Sequence, residues 1–289
     1  GKTTCIVGES GSGKSLTALT IMGLLSNQLI ATGRVLFNGV DLTTLDNRAM
    51  QKIRGAQIGM IFQEPMTSLN PVLTVGFQIG EVLTAHQALK GNALKASVAR
   101  LLTQVGIPET RTNSYPDELS GGQRQRGMVA MSIACEPDLL IADEPTTGLD
   151  VTVQRQILDL LRDKIEGSNR GILLVTHDLG VIAQYCHRVV VMYAGKVVES
   201  GSVDKVFSEP KHPYTAALLG AIPRPGHELT RLRGSVPDLR KIPVECAFQH
   251  RCAHAFDACS VSPVSREIAP QHLVACHLLE GVNHTNNRT

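Results

Sequence analysis

Residues 8–15 read Gly-Glu-Ser-Gly-Ser-Gly-Lys-Ser, and this run constrains the fold more than any other. It fits G-x-x-x-x-G-K-[ST], a loop that cradles phosphate when a strand precedes it and a helix follows. Thr3–Val7 is mostly β-branched or apolar and reads as a buried strand. Ser15–Leu25 carries apolar residues at helical spacing. Gly8, Gly11 and Gly13, with Glu9, Ser10 and Ser12 between them, let the backbone approach an anion closely. N–H groups at the helix start and the helix dipole then hold it. Lys14 is placed to neutralise the β- and γ-phosphates, and the Ser15 hydroxyl to hold Mg²⁺. A Gly/Ser loop can also merely turn the chain; the flanking strand and helix argue for phosphate.

A second run, Leu139-Leu140-Ile141-Ala142-Asp143-Glu144-Pro145, reads as a buried strand that delivers two acids at its C-terminal end. Open α/β sheets place their sites at such ends. Successive strand residues point to opposite sides, so adjacent acids suit different roles. Asp143 is expected to bind Mg²⁺ and Glu144 to polarise the attacking water. Alone, the pair would be an ordinary end of a strand; beside the phosphate loop it is not. Two more apolar strands end in polar groups: Ile58–Phe62 before Gln63, and Ile172–Thr176 before His177. From Pro65 to Glu136 the pattern turns helical, over Val75–Leu89, Ala93–Val105 and Gln123–Cys135. Arg34–Asn38 reads as a short strand. From Asp138 to Val198 strands and helices alternate, as a mostly parallel sheet requires. The expected fold is α/β: a mostly parallel sheet flanked by helices, a small β subdomain and a helical insertion.

Leu119-Ser120-Gly121-Gly122-Gln123 matches the five-residue signature of ATP-binding-cassette (ABC) ATPases, and Gly148-Leu149-Asp150 follows the acid pair. With Gln63 and His177 in the same order, residues 3–205 resemble this family of P-loop NTPases. The resemblance implies that ATP closes between the P-loop of one subunit and the signature of another. Ser120, Gly121, Gly122 and Gln123 would then offer a second helix N-terminus to the γ-phosphate. It implies Glu144 as catalytic base, His177 at the γ-phosphate, and Gln63 at Mg²⁺ and the attacking water. Asp150 would lie in the loop that crosses the dimer interface. The family has two or three strands before the P-loop, one carrying an aromatic residue that stacks on adenine. This chain starts at Gly1-Lys2, so an N-terminally truncated form is expected.

The last third narrows the resemblance. Lys211-His212-Pro213-Tyr214-Thr215-Ala216-Ala217-Leu218-Leu219 is similar to the C-terminal extension of dipeptide and oligopeptide importer ATPases. Ile61–Pro71 also looks like that group. The organisation expected is an ABC domain over 1–208, with its insertion at about 66–136. A loop-rich extension over 209–280 and a disordered tail over 281–289 follow. Of the seven cysteines, Cys5, Cys135 and Cys186 lie in apolar patterns and suit core packing. Cys246, Cys252, Cys259 and Cys276 form a C-x5-C-x6-C-x16-C cluster. Disulfides are rare in cytosolic proteins, and four thiolates in a loop-rich segment suit a soft metal. The spacing resembles the [4Fe–4S]-binding tail of some importers of this type. Zinc is the alternative, with His250, His254, His272 and His277 as further donors.

Composition limits the partners. A net charge of +2, 3% aromatic residues and no Trp point away from nucleic acid. No apolar run reaches the length of a membrane-spanning helix, so a transport pore must come from other chains. The resemblance implies a peripheral ATPase at the cytoplasmic face of a bacterial inner membrane. Its expected partners are a paralogous second ATPase subunit, two permease subunits and, through them, a periplasmic solute-binding protein. Uptake of di- and oligopeptides is the expected function. Import of nickel or another small solute, and a soluble ABC ATPase of repair, translation or cluster assembly, are the alternatives.

Overall fold

The structure is a computed structural model that describes residues 1–63, 68–221, 234–237 and 244–279. The expected tail at 281–289, and the part of the Ile61–Pro71 match that spans 64–67, lie outside the described residues. The chain divides into two compact units, Gly1–Thr3 with Ser15–Val175, and Thr4–Lys14 with Thr176–Thr289.

In the first unit three parallel strands follow the apolar runs of the sequence. They are β4 (Ile58–Ile61), β5 (Leu139–Asp143) and β6 (Gly171–Val175). β5 is central: Ile141 pairs with Met60 on one side and Leu173 on the other. Its residues Leu140–Asp143 are all buried, as a strand covered on both faces requires. Ile58, Met60 and Ile141 pack with Ala18 of α1 (Lys14–Ile21) and with Met22 just beyond its end. Met50 of α2 (Asn47–Ile53) and Leu42 close that cluster. The expected strand over 34–38 is reduced to a two-residue ribbon, β2 (Leu36–Phe37) with β3 (Val40–Asp41).

Three helices fill residues 75–133: α3 (Val75–Gln87), α4 (Gly91–Gln104) and α5 (Gly121–Ile133). Each starts within two residues of the apolar periodicity. α3 is capped by Thr74, whose hydroxyl accepts from the Phe77 N–H. Small residues let the segment pack tightly. A Cβ on Gly76 would stand 2.5 Å from the Thr112 carbonyl oxygen. α6 (Val151–Ile165) buries Ile157, Leu158, Leu161 and Ile165 at helical spacing and presents charge on its other face.

The second unit is a mixed sheet. β1 (Thr3–Val7) runs parallel to β7 (Arg188–Tyr193), with Val7 opposite Val191. β8 (Lys196–Ser202) returns antiparallel to β7. The C-terminal region then adds two strands that the sequence does not announce, β9 (Arg266–Ala269) and β10 (His272–Val274). β10 pairs antiparallel with both β8 and β9. Helices α7 (Leu179–Tyr185), α8 (Val203–Ser208) and α9 (Pro213–Gly220) complete the unit. Cys5, Val7, Val189 and Val191 form its core with Tyr193, Tyr214, Ala247 and Phe248. Cys5 is fully buried, and burial pushes its thiol well above the usual range. Among the described residues no helix is long and apolar enough to cross a membrane.

Candidate functional site: a phosphate loop and a carboxylate cluster

The phosphate loop lies in the second unit, directly after β1. Gly8 is there for space: a Cβ would stand 2.1 Å from the Met192 carbonyl oxygen. Gly11 and Gly13 have φ of +78° and +98°, a region that side chains with a Cβ disfavour. Lys14 is buried, and its Nζ donates to the carbonyls of Gly8 (2.9 Å) and Glu9 (3.0 Å). Ser12 is buried with no hydrogen-bond partner for its Oγ among the described residues. The Ser12 carbonyl accepts from the Gly195 N–H at 3.0 Å, which pins the loop to the β7–β8 turn. A loop of positive-φ glycines, a buried lysine on loop carbonyls and an orphaned hydroxyl fit a phosphate ligand. His177 belongs to the same unit. It is exposed and precedes Asp178, which caps α7 by accepting from the Gly180 and Val181 N–H groups.

The carboxylate cluster lies in the first unit, at the C-terminal end of β5. Asp143 is buried within the strand, opposite Val175. At Glu144 the chain turns out of the sheet with φ of +47°, a left-handed conformation unusual for a residue with a Cβ. Its N–H still donates to the Val175 carbonyl at 2.9 Å, so the residue is held at the strand end. Its Oε2 accepts from Gln63 Nε2 (3.2 Å) and Thr147 Oγ1 (2.9 Å). The structure therefore brings Gln63 and Glu144 together. Thr147 is a third member that the sequence reading passed over. Gln125, buried on α5, donates to the Pro145 carbonyl at 2.6 Å and fixes the turn beyond the acids. Its signal was a polar residue at an apolar position of the helical pattern.

The signature opens α5. The Ser120 side chain accepts from the Gln123 N–H while Gln123 Oε1 accepts from the Ser120 N–H, a reciprocal cap. Gly121 is exposed, and a Cβ there would meet nothing within 4 Å. Asp150 caps α6, accepting from the Thr152 and Val153 N–H groups at 3.0 Å each.

The four-cysteine metal centre is not supported. Among the described residues no group of three or more His, Cys, Asp or Glu side chains is placed to hold a metal ion. Cys246 and Cys252 pack against the apolar core of their unit instead, and Cys259 is buried. Burial pushes the Cys246 and Cys252 thiols up, and that of Cys276 to about 11. Three of the four histidines that would have served zinc have other partners. His272 faces Glu199, His250 faces Glu245, and His277 Nε2 lies 2.9 Å from the Val261 carbonyl oxygen. The expected iron–sulfur centre and its zinc alternative are therefore not formed among the described residues.

Residues 1–147 match the ABC transporter family, and residues 198–259 match the C-terminal region of oligopeptide/dipeptide transporters. The chain belongs to the ABC transporter family, and it is an ATP-binding ATPase of that family. Among individual proteins, it is 48% identical to the dipeptide transport ATP-binding protein DppD of Bacillus subtilis, over 96% of this chain and 85% of DppD. It is also 48% identical to the oligopeptide transport ATP-binding protein OppD of Escherichia coli, over 96% of this chain and 83% of OppD. Among solved structures it is similar to the dimeric ATP-binding cassette MJ0796 bound to ADP and Pi. The TM-score is 0.63 and the identity 30%, over 70% of this chain and 85% of that one.

Proposed function

We infer that the chain is the ATPase subunit of a bacterial importer of di- and oligopeptides. The observation that carries this is one of succession. A phosphate loop and an acid pair of ABC type are followed, at residues 198–259, by the oligopeptide/dipeptide-type C-terminal region. The division into an ABC domain over 1–208 and an extension from 209 belongs to the same proposal.

Gly8–Ser15 hold the triphosphate, with Lys14 at its β- and γ-oxygens. Ser15, Gln63 and Asp143 would hold Mg²⁺, which when bound would supply positive charge against the phosphate oxygens. Glu144 orients a water and takes its proton as the oxygen attacks the γ-phosphorus in line; ADP leaves with the bridging oxygen. Gln63 and Thr147 fix the direction of the Glu144 carboxylate. His177 steadies the γ-phosphate. Ser120, Gly121, Gly122 and Gln123 of a second ATPase subunit complete the anion cage, and Asp150 lies near that interface. ATP thus closes two subunits and hydrolysis releases them, a ligand-driven shift between two states.

The helical segment at about 66–136 passes that motion to two permease subunits, and a periplasmic binding protein delivers the solute to them. The second ATPase subunit is a paralogue, and the assembly sits at the cytoplasmic face of the inner membrane. Deleting the gene should abolish uptake of labelled di- and oligopeptides, and the wild-type gene, but not its Lys14→Ala form, should restore it. Unchanged peptide uptake with loss of nickel uptake would replace peptide by metal as the solute.

A further inference from the structure

Glu9, the second residue of the phosphate loop, is gripped by the C-terminal region 242 residues away in sequence. Arg251 Nη1 donates to Glu9 Oε2 at 2.6 Å and Nη2 to Oε1 at 3.0 Å, a two-pronged ion pair. The Arg251 side chain is 6% exposed and that of Glu9 26%. Nη1 also donates to the Tyr193 hydroxyl at 3.2 Å, and the guanidinium lies 5.6 Å from the centre of that ring. The Glu9 N–H donates to the Tyr214 hydroxyl at 2.9 Å. Tyr193, Tyr214 and Phe248 pack edge and face with ring centres 4.7–5.4 Å apart, so the grip stands on a rigid aromatic base. From the other side, the Glu9 carbonyl accepts from the Ser12 N–H at 3.1 Å and from Lys14 Nζ at 3.0 Å. The residue that carries the lysine of the phosphate loop is thus fixed by the C-terminal region through its N–H and its carboxylate.

A carboxylate in a loop built to receive a triphosphate is an electrostatic liability. The Glu9 carbonyl accepts from Lys14 Nζ, the group that would meet the β- and γ-phosphates. Partly buried charges are screened little. Arg251 neutralises this carboxylate and fixes its direction. We propose that Arg251 is a positioning residue for the ATP site, which holds Glu9 and cancels its charge so that the C-terminal region sets the affinity of the phosphate loop for ATP. This rests on the ATP reading above and adds to it a role for the extension.

The sign of the charges separates this role from simple bracing. Removing Arg251 alone leaves Glu9 unpaired beside the phosphates. Removing the Glu9 charge alone leaves a cation there. Removing both leaves the loop neutral. The test is equilibrium binding of trinitrophenyl-ATP to the full chain, displaced by ATP, with thermal melting of each variant. Arg251→Met should raise the ATP Kd about tenfold, in keeping with an uncompensated charge at short range. Glu9→Gln leaves the Arg251 cation beside the loop and should lower the Kd about threefold, whereas Arg251→Lys and the double variant E9Q/R251M should stay within about threefold of wild type. An E9Q/R251M double variant as weak as Arg251→Met overturns the proposal, because a mere brace predicts that. An unchanged Kd in a folded Arg251→Met protein also overturns it. Should Arg251→Met not fold, the double variant against wild type decides: within threefold upholds the proposal and tenfold weaker overturns it. Lys14→Ala separates the levels. Lost ATP binding there with none lost in Arg251→Met defeats this inference alone. Wild-type binding in Lys14→Ala defeats the ATP reading with it.

Discussion

Gln63 and Glu144 are 81 residues apart in sequence, and the Gln63 amide donates to Glu144 Oε2 at 3.2 Å. The same oxygen accepts from Thr147. One carboxylate oxygen is therefore held by two donors, which fixes the direction of the carboxylate. Glu144→Gln keeps the shape but loses the base. ATP hydrolysis by the assembled transporter should fall by at least about 100-fold, the usual weight of a positioned general base. ATP binding should stay within a few-fold. Turnover near the wild-type rate would remove Glu144 from the role of base.

Thr147→Val tests the smaller part of that arrangement. It removes one donor to Glu144 without changing side-chain volume much. The carboxylate should become less fixed, so kcat should fall several-fold while the ATP KM holds. A rise in KM with kcat unchanged would place Thr147 in ground-state binding instead.

How much of this could be read beforehand depends on where the information sits. The phosphate loop, β1 and β5 are local patterns, and they fall where the residues place them. The helices of residues 75–133 also start within two residues of their periodicity. β9 and β10 are four and three residues long, and β9 has three exposed positions, so no alternation marks either. The expected strand at 34–38 shrank because Leu36 and Val40 are exposed and support only a two-residue ribbon. The left-handed turn at Glu144 leaves no trace in composition. The Arg251–Glu9 pair joins residues 242 apart, which no local pattern encodes. The four cysteines misled for a related reason. Spacing along a chain does not say whether thiols face one another or an apolar core.

Ser120 has two separable roles. As the cap of α5 it accepts from the Gln123 N–H. Ser120→Ala should cost about 1 kcal/mol of stability and lower the melting temperature by a few degrees. Ser120→Arg adds bulk and charge where the γ-phosphate of the partner subunit is proposed to lie. It should abolish ATP-dependent cross-linking between ATPase subunits, while its own phosphate loop still binds nucleotide. Unchanged cross-linking in Ser120→Arg would reject the composite site.

Glu199 is fully buried in β8 and accepts from the Lys211 N–H and the His212 N–H, each at 2.9 Å. His272 Nε2 of β10 lies 2.8 Å from it. One carboxylate thus joins the start of α9 to the strand that the C-terminal region adds. Glu199→Ala would strand all three groups in the interior. Such losses cost about 3–5 kcal/mol where a buried charged partner is removed. Urea unfolding should show that drop, with Glu199→Gln intermediate because one carbonyl oxygen remains. Equal stability of Glu199→Ala and wild type would deny the carboxylate this joining role.

His212 gives the protein an acid-sensitive point. It is buried, its Nδ1 accepts from the Tyr214 N–H at 3.0 Å as the cap of α9, and its ring lies 5.9 Å from that of Phe248. Burial lowers its pKa to about 4, against 6.5 for an ordinary histidine. An imidazolium could not accept that N–H, so the native fold selects the neutral ring. The folded pKa lies below the unfolded one, so the unfolded chain binds the proton first. The stability contribution is whole above pH 6.5 and is lost as pH falls toward 4. At full protonation the loss is on the order of 3 kcal/mol. Asparagine can also accept from the Tyr214 N–H but does not titrate. His212→Asn should therefore flatten the stability profile between pH 6.5 and 4 relative to wild type, measured by urea unfolding at each pH. Parallel profiles for the two proteins would assign the acid lability to other groups.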